Sequence, residues 1–194
     1  MASKFGKRAA WVTQLALLTA ITIVLQMAGA FVRFGPFQIA LVLVPIVIGA
    51  AVMGPWEGGW LGAVFGAVVL LNGDAAPFLA VTAPGTILTV MVKGVGAGLA
   101  AGAVYRLLEK KSRYGAVLAA AAAAPVVNTG IFVLCCYAFF IPVLTQWAQS
   151  EGMPVTGYIF LSLVGLNFVV EFVVNMLLAG VIARILNVWK DRKV

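Results

Sequence analysis

Residues 40–67 read A-L-V-L-V-P-I-V-I-G-A-A-V-M-G-P-W-E-G-G-W-L-G-A-V-F-G-A. The stretch is apolar on both sides of Gly54-Pro55-Trp56-Glu57-Gly58-Gly59. Gly and Pro together are strong chain punctuation, so it reads as two helices, about 37–53 and about 57–72. Similar breaks at Gly35-Pro36 and Ala83-Pro84-Gly85 set off further helices at about 11–32, 85–108, 115–143 and 157–188. The fifth contains Pro125, where a kink is expected.

Composition says what surrounds these six helices. Of 194 residues, 63% are hydrophobic and 10% charged, with a mean hydropathy of +1.10. Soluble domains are about 25% charged, and about 20 apolar residues cross a bilayer. The expected fold is an all-α integral membrane protein: a six-helix transmembrane bundle forming a single domain over 1–194, with no soluble domain. The first apolar stretch follows Lys4, Lys7 and Arg8 but is too long for a signal-peptide core, so it reads as a retained helix.

The cations test the count. Lys4, Lys7 and Arg8 precede the first helix; Arg106, Lys110, Lys111 and Arg113 fall between the fourth and fifth; Arg184, Lys190, Arg192 and Lys193 close the chain. These eleven are all but two of the 13 Lys and Arg. Six spans put all three clusters on one side, and the positive-inside rule makes that side cytoplasmic, with both termini. A miscounted helix would split the clusters. The same placement accounts for the net charge of +7 without nucleic acid.

Several chemistries are excluded or disfavoured. There is no His and no G-x-x-x-x-G-K-[ST], so neither a His-based triad nor a P-loop ATPase is encoded. Gly94-Val95-Gly96-Ala97-Gly98-Leu99 imitates part of a dinucleotide loop but lies inside an apolar span with no strand before it. Cys135 and Cys136 are adjacent, which suits neither a disulfide framework nor a metal. No acidic cluster offers a magnesium site. No enzyme, metal or cofactor is expected.

What remains is a set of polar residues at membrane depth. Lys93 lies about eight residues into the fourth helix, roughly 12 Å below its outer end. Asn128 follows Pro125 near mid-membrane. Asn167, Glu171 and Asn175, four apart, share one face of the last helix. Intramembrane charges are costly and turn toward a partner or a cavity. Lys93 is thus either the ion-pair partner of Glu171 or the counter-charge for an anionic ligand. Asn128 is either interhelical glue for Glu171 or a ligand contact. Asn175 is too deep for an outer pocket and reads as structural. Arg33, Asn72 and Asp74 are expected at the outer rim, with Trp147 and Tyr158 on the same side; Arg33 is also placed to snorkel. The outer loops are then 33–36, 73–84 and 144–156. On the first helix Ala16 and Ala20 make a small-xxx-small strip, suited to packing inside the bundle or on a partner. Small-residue runs at Gly94–Ala103 and 119–125 mark further close packing or sliding surfaces.

The order of these pieces resembles the substrate-binding S-component of an energy-coupling factor (ECF) transporter. The resemblance rests on six spans in under 200 residues, on L-A-L-L-T-A-I-T-I-V-L at 15–25, on the stretch at 40–67, and on E-F-V-V-N at 171–175. It implies a prokaryotic plasma-membrane subunit that binds a water-soluble vitamin or precursor in the outer half of the bundle. It also implies docking through an A-x-x-x-A-like patch, matched here by Ala16 and Ala20, onto a transmembrane coupling subunit energised by two cytoplasmic ATPases. A lone buried Lys suits a carboxylate, and Asn and Glu suit hydroxyls or amides. Pantothenate therefore ranks ahead of folate and lipoate. A stand-alone carrier or channel, or a membrane scaffold, is the alternative.

Overall fold

The computed structural model describes residues 2–31, 33–34, 37–38 and 41–191, with side chains at 6–29, 41–181, 183 and 184. The side chains of Lys4, Arg33 and Lys190, and Gly35, Pro36, Arg192 and Lys193 altogether, lie outside the described residues. Nine helices follow one another among those described: α1 (Ala2–Phe31), α2 (Leu43–Val52), α3 (Pro55–Leu71), α4 (Ala76–Leu79), α5 (Ala83–Leu108), α6 (Arg113–Cys135), α7 (Ile141–Ser150), α8 (Val155–Gly157) and α9 (Leu166–Asp191). The two-residue strands β1 (Arg33–Phe34) and β2 (Phe37–Gln38) pair antiparallel.

The break inside 40–67 falls where Gly and Pro put it. Gly54 has φ +136°, a backbone conformation that side chains disfavour. Pro55 then starts α3 with its ring in the first turn, where no N–H is needed, and Glu57 sits there too, complementing the positive end of the helix dipole. The expected second helix is shorter than its apolar run: α2 begins at Leu43, and residues 37–38 belong to β2. Thr82 and Ser112 cap α5 and α6, accepting from Gly85 N at 3.4 Å and Gly115 N at 3.1 Å.

Two boundaries differ more. The fifth helix does not stop at 143. It runs on to Ser150 through a π-helical turn at Cys136–Phe140, giving 38 continuous residues. Pro142 opens α7. A proline ring there would clash with a carbonyl one turn back in a regular helix, and the wider turn ahead of it relieves that clash. The expected outer loop at 144–156 thus shrinks to the residues around Gly152 and Pro154. A second π-helical segment, Tyr158–Gly165, leads into α9.

Among the described residues, four helical stretches are long and apolar enough to cross a membrane: Gly6–Gly29, Ala83–Leu108, Arg113–Ser150 and Val155–Val181. α2 and α3, with 10 and 17 residues, are apolar but shorter.

Glycine decides how α3 and α5 meet. Gly58, Gly62 and Gly66 lie four apart on α3, as do Gly94, Gly98 and Gly102 on α5. The helices run antiparallel, with Gly58 against Gly98 and Gly62 against Gly94, so close that a Cβ on any of the four would overlap the opposing backbone. Lipid gives helices no hydrophobic reason to associate, so such backbone-level packing holds the pair. The Gly94–Ala103 run therefore serves packing within the bundle. The alanines of α6 do likewise: Ala116, Ala120, Ala121 and Ala124 are fully buried. Cys136 is buried with Phe140, Leu144 and Ile159 in a second apolar cluster.

Candidate functional site

A cavity of about 290 Å³ opens among α1, α3, α5, α6 and α9, at the end of the bundle that carries residues 72–82. Four of the intramembrane polar residues meet there: Lys93 from α5, Asn128 from α6, and Asn167 and Glu171 from α9. Asp74 joins them from the loop after α3. Lys93 and Glu171 face one cavity, yet among the described residues no ion pair within 4.0 Å links them. The Lys93 ammonium instead lies 5.5 Å from the Phe65 ring centroid and 5.4 Å from that of Phe132. Cation–π contacts are worth about 0.5–2 kcal/mol each. They offset part of the roughly 2.5–3.5 kcal/mol that a charge costs in a membrane helix.

The asparagines are incompletely satisfied. Asn128 is 6% exposed. Its Oδ1 and that of Asn167 are buried without a hydrogen-bond partner among the described residues. Such orphaned acceptors cost about 1–3 kcal/mol each and are rare in folded proteins. Asn175 Oδ1 is without a partner in the same way, but Asn175 is fully buried, does not line the cavity, and donates from Nδ2 to the Glu171 carbonyl at 2.8 Å.

At the rim, the Asp74 carboxylate is held by two amides. Asn72 Nδ2 donates to Oδ2 at 2.7 Å and Gln26 Nε2 at 3.0 Å, while Asp74 N donates to Asn72 Oδ1 at 3.1 Å. Asn72 acts here through Asp74 and does not itself line the cavity. Trp147 and Tyr158 stand behind the wall: the Trp147 ring meets Phe78 edge to face with centroids 5.7 Å apart, and Tyr158 packs against the second apolar cluster. The Arg33 side chain lies outside the described residues.

Sequence reasoning missed Gln26, Thr86, Thr89 and Thr129, and five phenylalanines in the lining: Phe65, Phe78, Phe132, Phe140 and Phe168. Gln26 carried a usable signal, since an amide in an apolar helix is rarely idle. The threonines and phenylalanines carried none, because both are ordinary in membrane helices. On the opposite side of α1, Ala16 and Ala20 are exposed, next to exposed Leu17, Val24 and Met27. They therefore do not pack within the bundle.

Membrane-length helices arranged around a cavity with charged and amide walls make this a transmembrane protein with a polar internal cavity. Its family follows from comparison: the model for the ECF transporter, substrate-specific component, matches residues 12–187, and the chain belongs to that family. It is a transport component of the membrane, not a member of an enzyme family. Comparison with curated proteins returns no match.

Proposed function

We propose that the chain captures a water-soluble vitamin or vitamin precursor at the outer face of a prokaryotic plasma membrane. It delivers the cargo inward with a transmembrane coupling subunit and two cytoplasmic ATPases. On this reading the bundle is one domain of six spans over 1–194, with both termini cytoplasmic. α2 and α3 are then the two short spans. The observation that carries the reading is the cavity itself: Lys93, without a carboxylate partner within 4.0 Å among the described residues, shares it with Asn128, Asn167 and Glu171.

Lys93 suits an acid. Asn128, Asn167, Glu171 and Asp74 suit hydroxyls and amides, since matched hydrogen bonds give such sites their selectivity. Pantothenate, with one carboxylate, two hydroxyls and an amide, is the first candidate, ahead of folate and lipoate. The five phenylalanines of the lining favour, as a second reading, an acid that carries an aromatic ring, folate among them. The exposed strip at Ala16 and Ala20 is the surface assigned to the coupling subunit.

Mass spectrometry of small molecules released from the purified chain tests this directly. One vitamin or precursor at close to one per chain is expected. Nothing released, together with no tight binding across a vitamin panel, would remove the reading. Solute uptake by the chain alone in proteoliposomes would favour a stand-alone carrier instead.

A further inference from the structure

Thr86, Thr89 and Lys93 lie at spacings of three and four on α5 and line the cavity together. The threonines are 1% and 2% exposed. Their hydroxyl protons are already committed: Thr86 Oγ1 donates to the Thr82 carbonyl at 2.8 Å, and Thr89 Oγ1 to the Gly85 carbonyl at 2.7 Å. A hydroxyl has one proton and two lone pairs, so each threonine now offers the cavity only an acceptor. Asn128 and Asn167 bring two buried Oδ1 acceptors without partners among the described residues. Glu171 brings a carboxyl group, also an acceptor when ionised. Against these acceptors, spread over three helices, stand Lys93, the one cationic donor, and the Nδ2 amides of Asn128 and Asn167, the first of them already hydrogen-bonded to Glu171.

We propose that Thr86 and Thr89 are specificity-determining residues of this cavity, and that its ligand is an acid carrying at least two O–H or N–H donors besides its acidic group. The inference rests on the substrate-capture reading above and narrows it. The acid meets Lys93, and the ligand's donors meet the acceptors. An acid lacking such donors would strip water from the acceptors and return nothing. Sites built around hydrogen bonds reject analogues that lack the matching group strongly. Pantothenate and folate pass this criterion; lipoate does not.

The test has two arms, both on the full chain in lipid nanodiscs. First, the small molecule released from the wild-type chain is identified, and pantothenate, folate and lipoate are titrated by calorimetry. The released molecule, or the tightest of the three, should carry at least two such donors, with lipoate weaker by about 100-fold or more. Second, Thr86→Val and Thr89→Val, which keep the side-chain shape, should each weaken that ligand about tenfold. Thr89→Ser, which keeps the acceptor, should stay within about threefold. A released ligand with fewer than two donors, lipoate binding tightest, or both valine variants binding like wild type would overturn the proposal while leaving a substrate-binding subunit in place. A valine variant that fails to fold leaves the first arm to decide. No released molecule and no binding of any of the three would overturn the proposal together with the capture reading on which it rests.

Discussion

Gly62→Ala places a methyl group where α3 and α5 touch backbone to backbone. Built on the existing chain, the new Cβ overlaps the Gly94 carbonyl oxygen and lies 2.5 Å from Gly94 C and 3.0 Å from Val95 N. Ordinary contact begins at 3.4 Å, so α5 must retreat by about 0.9 Å or more. All three obstructing atoms belong to the backbone, so no rotamer change relieves the overlap. Retreat at Gly62 also opens the Gly58–Gly98 contact one turn away. Overpacking of this kind costs about 1–3 kcal/mol, and the gain in helix propensity returns at most about 1 kcal/mol. A net loss of about 1 kcal/mol should lower the unfolding midpoint by roughly 2–4 °C for a chain of this size. The control is Gly130→Ala on α6, where a Cβ meets nothing within 4 Å; its midpoint should stay level or rise slightly. Tryptophan-fluorescence melts of both variants in detergent make the comparison. Equal midpoints for Gly62→Ala and Gly130→Ala would refute the backbone seam as the device that holds α3 to α5.

Two further substitutions separate roles that lie close together in the chain. Asn167→Leu should weaken ligand binding about tenfold through loss of one hydrogen bond, whereas Asn175→Leu, outside the cavity, should leave affinity unchanged and alter only the melting midpoint. Calorimetry on both variants checks this, and equal losses of affinity would place Asn175 in the binding site. Ala16→Trp, on the exposed strip of α1, should abolish ATP-driven uptake by the assembled importer while ligand binding by the isolated chain stays normal. Undiminished uptake would take Ala16 out of the docking surface.

The cavity was legible in sequence to the extent that its residues are expensive. Lys93, Asn128, Asn167 and Glu171 stood out because a membrane helix tolerates such groups only for a reason, and all four line one cavity. Thr86 and Thr89 did not stand out, because a threonine that bonds to its own helix costs little in lipid. The phenylalanines were hidden for a similar reason: Phe65 in the wall and Leu71, 86% exposed, are equally at home in an apolar run. Breaks at Gly54-Pro55 and Ala83-Pro84-Gly85 were readable because Gly and Pro act locally. The helix end expected at 143 was missed because a π-helical turn, which has no simple sequence mark, carries the helix past Pro142 to Ser150. Trp147 was expected at the pocket and instead stands one layer behind it, since only packing decides whether Phe78 or Trp147 reaches the cavity.

The central claim is that Lys93 receives the acidic group of the cargo. Lys93→Met keeps the length and removes the charge. The cation–π contacts with Phe65 and Phe132 go with it, and a thioether against the rings replaces them. With no charge left to desolvate, folding should be preserved or improved. Losing a desolvated charge partner costs about 2–5 kcal/mol of binding, so affinity for the identified ligand should fall at least about 30-fold. The direct measurement is calorimetric titration of that ligand into wild-type and Lys93→Met chains with matched melting midpoints. A loss of that size is the predicted result; wild-type affinity in Lys93→Met would contradict the account.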